Sequence, residues 1–138
     1  MAGYLKKIAV IKQLKSGFSA DGGAISGLVK IETYAGYLKA EVSLINFAPL
    51  SEGRYVFGIS DGVNVVIFED VSYECESAFN CANGFAFVAC FCHGGASPIA
   101  AAYCGQAACA LPALKEEMQK REQINPKSRT EPPTTTKR

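Results

Sequence analysis

Apolar side chains recur at every second position through most of this chain, and glycine-bearing turns interrupt them at short intervals. That period belongs to a pleated strand with one face in a core, because successive side chains of an extended backbone point to opposite sides. Tyr4 to Leu14 reads as a first strand, and the polar "SGFSADGG" after it as a hairpin connection. Ile25 to Tyr34 sends Ile25, Val29 and Ile31 one way and Lys30 and Glu32 the other. Next, Leu38, Ala40, Val42 and Leu44 face inward while Lys39, Glu41 and Ser43 face water. Arg54 to Ser60 carries Tyr55, Phe57 and Ile59 on one face, and "SDG" reverses the chain into Val63 to Glu69. Asp-Gly supplies the positive φ that short hairpins require. Ser72 to Glu76, Gly84 to Cys92 and Pro98 to Cys104 complete about eight strands. An all-β fold follows, an antiparallel sandwich or partly open barrel.

The pattern then changes. In "ALPALKEEMQKREQIN", Leu111, Leu114 and Met118 fall at helical spacing with proline in the first turn, predicting one C-terminal helix over about 111–124. Residues 1–122 then form a single domain, and 125–138, polar and rich in Pro and Thr, form a disordered tail or linker. A chain of 138 residues buries a core without covalent staples.

The formal charge of +1 leaves no overall field for nucleic acid or an anionic membrane, so neither is expected as a partner. Through Ala110 there are seven Lys/Arg against nine Asp/Glu, and from Leu111 onward seven against four. Lys6, Lys7, Lys12 and Lys15 alternate with apolar residues, which predicts an edge strand at the N-terminus. Those lysines interrupt any secretory h-region, and no apolar run is long enough to span a bilayer. The expected compartment is the cytoplasm, where the six cysteines are reduced. Were the protein exported, Cys75–Cys81 and Cys104–Cys109 would be the short disulfide loops.

The cysteines cluster around "VACFCHGG". On a strand, Phe85, Phe87, Ala89, Phe91 and His93 share one face, and Ala86, Val88, Cys90 and Cys92 the other. Both faces are apolar, which marks a central strand. The small face admits a close-packed layer, the C-terminal helix, and Ala100, Ala102 and Cys104 are expected to extend it. Buried thiols behave as small hydrophobes there. Zinc is the competing expectation, with Cys90, Cys92 and Cys104 as ligands. It requires donors converging at about 2.0–2.3 Å from the ion. No C-x-x-C pair is present, and Cys90 and Cys92 lie roughly 6.6 Å apart on an extended strand. Cys92 and His93 point apart, so they make no thiolate–imidazole pair. No catalytic residue, metal or cofactor is therefore expected.

"SADGG" as an anion nest and "FEDVSYECE" as a calcium loop both lack the flanking elements those sites need. Tryptophan is absent, so an aromatic binding platform falls to Tyr4, Tyr34, Tyr37 and Tyr55. Tyr34 and Tyr37 flank one turn, "YAGY", and are the candidate binding residues.

"VSLINFAPLSEGRYVFGISDG" and "GFAFVACFCHGG" resemble segments of small uncharacterised proteins of Gram-positive gut bacteria, a likeness covering about Ile25 to Met118 and implying no activity. "LSEGRY" is similar to the Gly-x-Tyr turn of bacterial Ig-like and transthyretin-like sandwiches, which implies fold alone. The leading functional expectation is a non-enzymatic interaction or accessory module, binding a protein partner or itself through open sheet edges. A metal or thiol site on Cys90, Cys92 and Cys104, and carbohydrate binding through Tyr34 and Tyr37, are the alternatives.

Overall fold

In the computed structural model, residues 3–124 are described, with side chains through Lys120. The expected tail at 125–138 lies outside them. Eight strands form one antiparallel sheet: β1 Leu5–Gln13, β2 Ser26–Tyr34, β3 Tyr37–Ile45, β4 Arg54–Ser60, β5 Val65–Phe68, β6 Ser72–Glu76, β7 Phe85–Cys92 and β8 Ala96–Cys104. The order across the sheet is β5-β4-β7-β8-β1-β2-β3-β6. The sheet curls into a nearly closed barrel, so the barrel alternative holds over the sandwich. One helix, α1 Leu111–Ile124, follows β8 through a short 3₁₀ turn. Among the described residues no helix is long and apolar enough to cross a membrane.

The alternation does what the sequence promised. Ile11, Val29, Ile31, Leu38, Ala40, Phe57, Ile59, Phe85 and Phe87 all point into one core and are fully or nearly fully buried. Phe57 and Phe87 stack at 5.8 Å between centroids in its middle. Each aliphatic or aromatic side chain so buried contributes about 1.5–3 kcal/mol, and the core draws on every strand.

α1 covers the barrel from outside. Its Leu114 and Met118 pack on Val56, Ala86, Val88, Cys90, Cys92 and Ala101, a second apolar cluster behind the sheet. The helix comes this near because of Gly58: a Cβ added there would sit 2.6 Å from Met118 Sδ and 3.3 Å from Leu114 Cδ1. Gly58 of β4 and the small face of β7 together seat the helix.

Two expectations are corrected. β1 is not an edge strand, for it lies between β8 and β2. Its lysines alternate because Lys6 and Lys12 lie on the barrel's outer surface. Ala100, Ala102 and Cys104 do not extend the face under α1. Ala102 pairs with Phe87 and Ala100 with Ala89, and cross-strand partners share a face, so these small residues point inward and make room for the phenylalanines. Ala101, opposite Val88, is the buried β8 residue beneath the helix, with Ala96 partly buried at the same cluster.

Candidate functional site

β2 and β3 meet in a two-residue turn, Ala35 at φ 51° and Gly36 at φ 81°, the doubly left-handed geometry that suits a tight hairpin. The turn is fastened, because Ser77 N–H donates to the Gly36 carbonyl at 2.9 Å. The hairpin sets Tyr34 directly opposite Tyr37. β1 adds a third ring: Leu5 pairs with Thr33, so Tyr4 falls beside Tyr34 on the same outer face. Tyr4 and Tyr34 are each 57% exposed and Tyr37 45%.

These rings line one groove of about 280 Å³ with Glu32, Thr33 and Lys39. Two of the three hydroxyls are tied down. Tyr4 donates to a Glu32 carboxylate oxygen, and Tyr37 donates to Glu74 Oε1 at 2.5 Å. The hydrogen bond to Glu32 holds the Tyr4 phenol above its ordinary range, and that to Glu74 does the same for Tyr37. Both hydroxyls stay protonated at neutral pH. A second recess, about 350 Å³, adjoins the groove through Thr33 and Tyr34 and runs under the turn past Ser77 and Phe79. Thr33 is buried, its Oγ1 3.5 Å from Cys81 Sγ. Of the four tyrosines named as an aromatic platform, Tyr55 stands apart: its hydroxyl donates to the Ala48 carbonyl at 2.6 Å, and its ring packs edge-on against Phe47.

The thiols are not brought together as a ligand set. Cys90 and Cys92 lie under α1, with Cys90 Sγ 3.9 Å from Met118 Sδ. Cys104 packs with the barrel interior instead. Among the described residues no three His, Cys, Asp or Glu side chains group to hold a metal ion. None of the six cysteines is joined in a disulfide, neither Cys75–Cys81 nor Cys104–Cys109. His93 follows the Phe91 side of β7, as its place in the alternation requires, and its Nε2 lies 3.1 Å from Glu52 Oε1.

A last feature is the opening of the barrel. The ladder runs unbroken from β5 round to β6, but no pairing joins β5 to β6. The rings of Phe68 and Tyr73 stack across the turn between them, 5.2 Å apart and 10° from parallel. Outside, Val63, Val65 and Val71 stand 86%, 37% and 50% exposed. Comparison of the chain with protein-family models, curated proteins and solved structures finds no match.

Tyr4 stood in the set of tyrosines, but only the β1–β2 register brings it to Tyr34.

Proposed function

We propose that this chain is a non-enzymatic protein-interaction module that takes an extended segment of its partner at the opening between β5 and β6. The carrying observation is the break in an otherwise continuous ladder. A strand at such a break offers a row of backbone donors and acceptors, and an added strand satisfies them. The chemistry of the partner segment follows from the flanks. β5 reads Val-Val-Ile-Phe, while Glu69, Asp70, Glu74 and Glu76 crowd the turn and β6. A strand that alternates basic and apolar side chains complements both. Two observations support the non-enzymatic reading: the histidine pairs with a carboxylate, and the thiols on its strand point to the opposite face under α1.

Titration with an extended peptide alternating lysine and valine, followed by backbone amide NMR, tests this. Amide shifts concentrated in Val65–Phe68 and Ser72–Glu76 are expected, and Val65→Lys with Val71→Lys weakens binding at least about tenfold, or 1.4 kcal/mol. Shifts centred elsewhere, or an affinity indifferent to the two lysines, overturn the proposal.

A further inference from the structure

We infer that the groove of Tyr4, Tyr34 and Tyr37 is a second binding site, for a neutral saccharide of one or two pyranose rings. Its walls come from β1, β2 and β3 rather than from the strands at the β5–β6 opening, and the Tyr37 hydrogen bond to Glu74 of β6 links it to that opening.

Three aromatic rings that stand about half exposed side by side forgo burial that most tyrosines obtain. A pyranose ring has what such a surface takes. Its axial C–H groups form flat apolar patches that lie on an aromatic face, while its equatorial hydroxyls point outward to polar groups. Here those polar groups are placed at the groove wall: the Glu32 carboxylate accepts, and the Lys39 ammonium donates. Sites that use this division of labour need rings held in position before the ligand arrives, since each side chain ordered on binding costs affinity. Tyr4 and Tyr37 are held by their hydrogen bonds to Glu32 and Glu74, and the hairpin beneath is locked at Gly36.

Size and charge narrow the class. The groove, at about 280 Å³, lies just below the roughly 300–1,000 Å³ typical of small-molecule sites. It accommodates one ring, and the adjoining recess of about 350 Å³ takes a second. Lys39 Nζ lies 3.7 Å from Glu41 Oε2, and the carboxylates of Glu32 and Glu74 stand opposite Lys39 on the two flanking strands. A ligand without net charge suits such a wall better than an anion. Aromatic grooves also take proline-rich peptides in the polyproline II form, which need parallel apolar ridges and few charges between them. The carboxylate and ammonium in this wall favour polyhydroxyl ligands instead.

The test is NMR titration of the full chain with cellobiose, maltose, mannobiose and chitobiose, and separately with a proline-rich peptide. Saturable shifts at Tyr4, Tyr34, Tyr37 and Lys39 are expected with at least one disaccharide, with a dissociation constant on the order of 1 mM, as a small ligand in a shallow site allows. Tyr34→Ala then weakens binding about tenfold, while Tyr34→Phe keeps the ring and the affinity. Both variants retain the wild-type melting temperature, since the side chain is largely solvent-facing. No saturable shift with any of the four sugars overturns the inference. So does response to the peptide alone, or an unchanged affinity in Tyr34→Ala.

Discussion

Asp61 shows how much one side chain settles in this fold. It closes the β4–β5 reversal by accepting from Val63 N–H at 2.9 Å and Asn64 N–H at 2.6 Å. Its other oxygen accepts from the Asn64 amide at 3.1 Å and from Asn80 N–H at 2.8 Å, so it also fastens the segment that leads into β7. Burial alone pushes this carboxyl up, but the four donors outweigh burial and hold it below its ordinary value. The unfolded chain therefore binds the proton more readily. The stability Asp61 supplies is present above about pH 4 and is lost as pH falls through the lower folded value. Asp61→Ala is expected to cost about 2 kcal/mol at pH 7 in urea unfolding, because charged hydrogen bonds go unmade. The gap to wild type narrows below about pH 4. A gap of equal size at pH 7 and pH 3 would show that the charge plays no part.

At the scale of elements, the helix and the strand beneath it depend on each other's shape. Leu114 and Met118 fit only because Gly58 has no side chain and β7 presents alanine, valine and cysteine. Met118→Ala should cost about 2–5 kcal/mol, the range for emptying a buried methionine site. It should also loosen the cover over Cys90 and Cys92. In the native wild-type protein a thiol reagent is expected to modify exposed Cys109 at once, and Cys81, Cys90 and Cys92 only on unfolding. In Met118→Ala, Cys90 reacts under native conditions; continued silence there would mean that α1 is not what shields it. This much was legible in the sequence, since both the zigzag of β7 and the Leu111–Leu114–Met118 stripe are local patterns. What was not legible is cross-strand. No local pattern says that β1 lies between β8 and β2, that Ala102 sits opposite Phe87, or that Tyr4 sits beside Tyr34. Those facts depend on pairing between distant segments, where a shift of one residue turns every side chain to the other face.

For the molecule as a whole, the question is where a barrel that almost closes yields first. β7 is bonded on both sides, to β4 and β8, and lies between the core and α1. β5 and β6 are four and five residues long, and each has a ladder partner on one side alone. β3 to β4 and β6 to β7 are both connections between strands that are not neighbours in the sheet, so the two short strands hang between long-range connections. Opening them exposes one buried side chain, Phe68, and the partly buried Val66, Ile67, Tyr73 and Cys75, whereas opening β7 removes the centre of both apolar clusters. Native-state hydrogen exchange should therefore be graded, with β7 amides exchanging only through global unfolding and β5 and β6 amides through local opening at much lower free energy. A partner strand at the break would supply the missing ladder bonds and slow exchange in β5 and β6 while leaving β7 unchanged. If β5 and β6 in the free protein are already as protected as β7, the barrel is effectively shut, and the edge has nothing left to offer a partner.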